Sequence, residues 1–414
     1  MLRSVIGISQ GWRHVVHRRR RRTRDAGWGF RWGRSWVVAT TARARGAPRQ
    51  LVRIDRVCPQ ESAISTRHAS CFIRAVDRIT GLLLGTAVGD SLGLPREGLS
   101  GQRAARLYRG PLRQRLVLGR GMLSDDTEHA CMTAQALLVA GDDPVRFARA
   151  LAWKLRWWLL ALPAAVGWGT LRALVRSWIG FSPSRSGVQS AGNGAAMRAP
   201  IIGAWLDDPD RVAAFVDAST RITHRDPRAG AGSLAIALAA HHAVRADKLD
   251  RSVILADLRA RIADRELLRA LDRVEDALVR DREPAQLAAD LGLSRGVTGY
   301  VHHTVPICLH AWLRSPYDFR RVVGDVIALG GDADTTGAIA GALAGATVGA
   351  AGIPSDWLAI TDWPRSVGWI RRLGERVAAR GRPLRSWWPA MPLRNVAFIA
   401  IVLATGMRRL LPPY

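Results

Sequence analysis

From residue 76 onward the chain is rich in alanine and leucine, turn residues punctuate it at short intervals, and the apolar–polar alternation of half-buried strands is scarce. The apolar spacing predicts helices over 127–139, 144–162, 195–206, 210–221, 230–246, 251–279, 284–291, 300–313, 319–329, 336–350 and 367–379. Within 251–279, Leu255, Leu258, Ile262, Leu267, Leu271, Val274 and Leu278 form one apolar stripe between Asp and Arg residues, as a surface helix pair requires. The expected fold class is all-α. No internal repeat is evident.

Three apolar stretches resemble membrane spans at first sight. Residues 157–168 are broken by Pro163, and 396–405 is too short to cross about 30 Å of hydrocarbon. Residues 337–353 carry Gly337, Gly341, Gly345 and Gly349 at the spacing of a close helix contact. Their side chains are nearly all glycine and alanine, which gain little from lipid, so this stretch reads as a buried helix of a soluble core.

Residues 1–75 have a different texture. Arg18 to Arg22 form an unbroken cationic run, Trp28, Trp32 and Trp36 are scattered among glycine and arginine, and no apolar period persists. They read as an Arg-rich extension, disordered or lying upstream of the native start, in preference to a nucleic-acid arm or a targeting peptide. Residues 76–380 read as the folded domain, and 381–414 as a helical tail packed on it.

The net charge of +27 comes from 61 basic and 34 acidic side chains, and apart from Lys154 and Lys248 the basic ones are all arginine. A positive surface suits nucleic acid or an anionic membrane. No zinc-finger spacing, aromatic RNA-binding stretch or basic heptad accompanies the charge, so neither is expected as a partner. Cys58, Cys71, Cys131 and Cys308 lie far apart with no CxxC pair, which speaks against a disulfide framework or zinc cluster and fits reduced thiols in a cytoplasm. The pairs His241–His242 and His302–His303 lack the HExxH spacing.

Four stretches carry candidate chemistry. Ser124-Asp125-Asp126 sets a hydroxyl and two carboxylates at the start of an apolar helical run, a donor set suited to Mg²⁺ or Mn²⁺, though capping of that helix explains it equally. Gly330-Gly331-Asp332-Ala333-Asp334-Thr335 repeats the same chemistry some two hundred residues later. If the two turns meet, four carboxylates repel one another unless cations lie between them, and a two-metal centre is the simplest neutraliser. Gly85, Gly89 and Gly93 space a close-packed helix that releases the chain at Pro95, leaving Glu97 on a loop as a site carboxylate or a solvated surface acid. Around Asn193, Gly192 and Gly194 would expose backbone N–H groups at a helix start, an arrangement that can hold a phosphate. His224 follows in Thr223-His224-Arg225-Asp226-Pro227, either as a ligand contact or as a helix-end hydrogen-bonder.

Taken in order, DRITGLLLGTAVGDSLGLPRE (77–97), SDDTEHA (124–130), SAGNGAAMRAPIIG (190–203), ITHRDPRA (222–229) and LGGDADTTGAIAGALAGATVGAAGIP (329–354) resemble the ADP-ribosylglycohydrolase family. The resemblance implies a single orthogonal all-α domain with a central metal-binding cleft holding two Mg²⁺ or Mn²⁺. It implies Ser124, Asp125, Asp126, Asp332, Asp334 and Thr335 as metal ligands, and Asp126, Asp125 and Glu97 as the catalytic acids. Ser190, Gly192, Asn193 and Gly194 would contact the diphosphate, with His224 near the nucleotide. Ser124 stands where many members have threonine, which keeps the hydroxyl, and Ala191 where some have an aromatic, which leaves the grip on adenine undefined.

The activity implied is hydrolysis of the glycosidic bond between ADP-ribose and a protein side chain or small acceptor, in a bacterial, cytoplasmic and monomeric enzyme. The cations would hold the ribose hydroxyls and polarise a water. Two other classes remain: a non-catalytic ADP-ribose-binding module, and a basic nucleic-acid or membrane binder led by residues 1–75.

Overall fold

The computed structural model describes residues 59–410 apart from 165 and 386–388. Most of the reading of 1–75 as an extension therefore lies outside the described residues. Their regular structure is almost entirely helical, with one two-stranded ribbon.

The centre is a pair of helices, Pro59–Gly93 and Ala333–Val348, packed together along the second helix and the Gly81–Gly93 part of the first. Glycine decides how closely. Gly81, Gly85, Gly89 and Gly93 of the first helix face Gly345, Gly341, Gly337 and Ala333 of the second, backbone against backbone. A four-residue glycine spacing strips one helix face of side chains, which permits that approach. The remaining faces are lined by Leu82, Leu83, Leu84, Val88, Leu92, Ile339 and Leu343, all buried in one continuous apolar core. The helix 337–353 is thus an interior helix, as its composition indicated, and its side chains are buried from Ala333 to Thr347.

Seven expected helices fall where the apolar spacing put them, at Asp125–Ala140, Pro144–Leu160, Pro209–Thr223, Pro227–Arg245, Pro284–Asp290, Val301–Arg314 and Val367–Ala378. Phe319–Leu329 matches residue for residue. Four segments differ. The stretch 251–279 is two helices, Arg251–Arg261 and Arg265–Val279, because the Asp264 carboxylate accepts from Leu267 N at 2.8 Å and starts a new helix while Ile262 stays buried at the corner. Residues 195–206 form a 3₁₀ turn, Ala196–Arg198, and a short helix, Pro200–Trp205, since Pro200 suits the first position of a new helix and not the interior of a long one. Trp168–Trp178 is a helix that the apolar run around it concealed. The run 396–405 belongs to a longer closing helix, Ala390–Arg408, which by length and composition is sufficient to cross a membrane.

The first helix crosses position 76 without a break. Its far end leads through a 3₁₀ turn, Leu94–Arg96, into the ribbon, where Leu99 pairs with Gly331 and Ser100 with Gly330 in antiparallel register. This ribbon is small, but it brings the Glu97 loop to the Gly330–Thr335 turn.

Candidate active site

Two acidic turns meet at the mouth of the central helix pair. The first begins the Asp125–Ala140 helix, where the Ser124 hydroxyl accepts from Asp126 N at 3.3 Å. Ser124 is therefore a helix cap, as the simpler reading held. The turn is anchored from below by Asp90 on the first helix: its carboxylate accepts from Ser124 N at 2.9 Å, from Thr127 N at 3.2 Å and from the Thr127 hydroxyl. The second turn begins the Ala333–Val348 helix. Asp332 occupies the cap position but makes no capping bond; its Oδ2 accepts from Asn193 Nδ2 at 2.6 Å instead. Capping therefore accounts for the first turn and leaves the second unexplained.

The link between the turns is direct. Thr335 Oγ1 donates to Asp126 Oδ2 at 3.2 Å across 209 residues of sequence, and Ser124 Oγ donates to the same oxygen at 3.3 Å. Asp126 Oδ1 has no hydrogen-bond partner although the residue is only 1% exposed. A buried carboxylate oxygen without a donor is costly unless something outside the protein satisfies it.

Glu97 joins the cluster from its loop, within hydrogen-bonding reach of Asp334 and under the field of Asp332. Six carboxylates, from Asp90, Glu97, Asp125, Asp126, Asp332 and Asp334, thus feel one another's charge. Burial first, then mutual repulsion, pushes Asp125, Asp126 and Asp334 well above the ordinary carboxylate range. Burial raises Asp90 to about 6 against the pull of its Thr127 and Ser124 hydrogen bonds. Glu97 is raised by burial and Asp332, with Arg409 opposing. Among the described residues no three His, Cys, Asp or Glu side chains form a closed ligand cage. The turns are neighbours with unmet negative charge, and an oxygen-only set with a partnerless carboxylate oxygen fits a hard divalent cation.

An expected result follows from this crowding. In metal-free protein, Asp334→Asn should stabilise the fold by about 1 kcal/mol, because it removes one buried charge and keeps the oxygen that accepts from Thr335 N at 2.9 Å. A carboxyl whose folded pKa is raised binds its proton more tightly folded than unfolded, so its stability contribution is present at low pH and lost as pH rises through the folded value. The gain should therefore grow with pH in calorimetry with chelator present; a lowered melting temperature would count against the crowding.

The Ser190–Gly194 loop stands beside the acids. Asn193 ties it there through Asp332 and through Thr304 Oγ1 at 3.0 Å. The loop's amides are less free than expected: Asn193 N donates to Gly299 O at 2.9 Å and Gly192 N to Ser190 Oγ at 3.4 Å. It also leads into a 3₁₀ turn and not a long helix. His224 lies buried under Gly192 and Gly194, its Nδ1 2.8 Å from Thr223 Oγ1. Burial, then Arg198, drives His224 down to about 3, so it is neutral at physiological pH. Arg198 is fully buried and knits the two segments, donating to Gly194 O at 2.6 Å and to Thr223 Oγ1 at 2.7 Å.

Three contributors escaped the sequence reading. Asp90 carried a signal, being an acid inside an otherwise apolar, glycine-spaced helix. Arg394 and Arg409 of the closing helix carried none. Arg394 Nη2 donates to the carbonyl of Leu123, next to the first acidic turn, and to Asp362 Oδ2 at 2.6 Å. Arg409 donates to Pro95 O at 2.7 Å and Glu97 O at 2.8 Å, holding the Glu97 loop.

Comparison with known proteins gives the family. The sequence model of the ADP-ribosylglycohydrolase family matches residues 73–386. The chain is 32% identical over 294 residues to an ADP-ribosyl-[dinitrogen reductase] glycohydrolase of Rhodospirillum rubrum, covering 69% of this chain and 90% of that protein. It is 32% identical over 291 residues to an uncharacterised protein of Archaeoglobus fulgidus, covering 68% and 90% respectively. Among solved structures, an ADP-ribosylglycohydrolase-related protein complex superposes with a TM-score of 0.53 at 28% identity, over 74% of this chain and 99% of that one. The chain belongs to the ADP-ribosylglycohydrolase family and is a glycohydrolase.

Proposed function

We propose that this enzyme requires divalent cations and releases ADP-ribose from modified protein side chains. The observation that carries the reading is the Thr335–Asp126 hydrogen bond, which draws two acidic turns into one carboxylate cluster beside the Asn193 loop. Ser124, Asp125, Asp126, Asp332, Asp334 and Thr335 would hold Mg²⁺ or Mn²⁺, two per chain. When bound, such cations would hold a ribose diol and polarise water.

The chain's own groups do the rest. Glu97 lies within hydrogen-bonding reach of Asp334, and burial and the Asp332 charge raise it above the ordinary carboxylate range, so Glu97 is the group placed to give a proton to the departing side chain. Asp125, at the start of its helix beside Asp126, would take a proton from the attacking water. The remaining carboxylates stabilise positive charge on the ribose as its bond breaks. Asn193, fixed between Asp332 and Thr304, positions the loop that would meet the diphosphate, and neutral His224 supports that loop from beneath.

The name of the Rhodospirillum relative specifies a protein substrate, which makes a modified protein the natural partner to test here. The test is ADP-ribose release from arginine-linked and serine-linked protein conjugates in Mg²⁺ or Mn²⁺. Turnover on at least one linkage is expected; tight ADP-ribose binding with no release from either would instead indicate a reader.

A further inference from the structure

The closing helix, Ala390–Arg408, presents two opposite faces. Its inner face is fixed to the domain by buried Met391, Arg394, Asn395 and Phe398, with Asn395 Nδ2 donating to Ala161 O at 2.8 Å. Its outer face bears Leu393, Val396, Ala397, Ala400, Leu403, Ala404 and Met407, spaced three and four apart along one stripe. All are exposed, with Leu393 at 70%, Leu403 at 63% and Met407 at 70%. An outer helix face of a water-facing domain is normally charged or polar; this one has no polar side chain until Arg408.

The ground next to it is basic. Between Glu97 and Asp125 the sequence has six arginines, Arg103, Arg106, Arg109, Arg113, Arg115 and Arg120, and no acid. Among the described residues none of the six forms an ion pair, and Arg106, Arg109, Arg113 and Arg120 are exposed. This segment abuts the helix: Arg103 Nη2 donates to Arg409 O at 3.0 Å, and Leu116 and Val117 pack with Phe398, Ile401 and Val402. At the tip of the same turn Leu118 is 99% exposed. An apolar stripe beside unpaired arginines matches an anionic lipid surface, acyl chains meeting the stripe and headgroup phosphates the guanidinium groups.

We propose that the outer face of the closing helix and the 103–120 arginine segment dock this enzyme on an anionic membrane surface, the helix lying in the interface and not spanning it. Both ends of the helix are committed to the protein, Arg394 to Leu123 O and Asp362 near its start, Arg409 to Pro95 O and Glu97 O at its close, so crossing the bilayer would break the contacts that hold the site loops. The closing helix lies past residue 386, beyond the family match, while the arginine segment lies within it, and the proposal does not rest on the hydrolase reading. It departs from the reading drawn from sequence, which favoured a tail packed on the domain over membrane contact.

The test is flotation of the full chain with vesicles of equal phosphatidylglycerol and phosphatidylcholine, and with pure phosphatidylcholine. Binding to the anionic vesicles, release by alkaline carbonate, and at least a tenfold loss of bound protein in Leu403→Glu/Met407→Glu are expected. The variant's melting temperature should be unchanged, since both residues face solvent. Arg106→Gln/Arg113→Gln should lower anionic binding severalfold without altering the fold. Four results would overturn the proposal: no flotation, undiminished flotation of the glutamate variant, carbonate-resistant insertion, or a solution dimer that the glutamates dissolve without any lipid binding.

Discussion

Replacing Asp126 with asparagine should slow ADP-ribose release by about a thousandfold at saturating Mn²⁺ while leaving the protein folded. The expectation rests on how the two oxygens are used. Oδ2 accepts both hydroxyls, Ser124 at 3.3 Å and Thr335 at 3.2 Å, and Oδ1 accepts nothing. Asparagine keeps the shape and one acceptor, so both turns should stay where they are. It removes the charge and replaces the free acceptor with a donor, which a cation cannot use. The loss should appear mainly in kcat, with a raised Mn²⁺ requirement. Activity within tenfold of the parent would mean that Asp126 serves structure only.

Gly89→Val should damage the fold severely, costing about 3 kcal/mol. A Cβ at Gly89 would collide with the Gly337 carbonyl and crowd Ala338 N at 2.8 Å, and these are backbone atoms of a buried helix that cannot swing aside. The two helices must then separate, which lengthens the path between the Glu97 loop and the Thr335 turn carried at their ends. Urea unfolding should show a lower midpoint, and whatever folds should retain little activity. A neutral result would mean that the helices are not packed backbone to backbone at this point.

The helical class, most helix positions and the two acidic turns were readable because each rests on local chemistry: apolar spacing for the helices, acid–hydroxyl clusters at their starts for the turns; that the turns meet, across 209 residues, came from the fold. The glycine spacing was visible in both helical segments, and only its pairing had to come from the fold. What escaped depends on distant parts of the chain. Whether Ser124 caps or ligates could not be separated in sequence, because the same hydroxyl can do both, and in the fold it does cap. The glycines around Asn193 were expected to expose backbone N–H groups, but Gly299 O takes the Asn193 amide and the Asn193 side chain reaches Asp332. The break at Ile262–Asp264 was masked because its apolar stripe continues across the corner. Arg394 and Arg409 brace both site loops from a helix some three hundred residues further along the chain, and no sequence pattern near either loop announces them.

The central claim is that charge left unmet in the carboxylate cluster is met by divalent cations on which turnover depends. Electron paramagnetic resonance of Mn²⁺ added to metal-free protein tests it most directly, with Asp126→Asn/Asp334→Asn run alongside. The account predicts uptake of two Mn²⁺ per parent chain and at least tenfold weaker uptake by the double variant. Equal uptake by both proteins, or a parent that binds no Mn²⁺ and turns over at full rate in chelator, would contradict it.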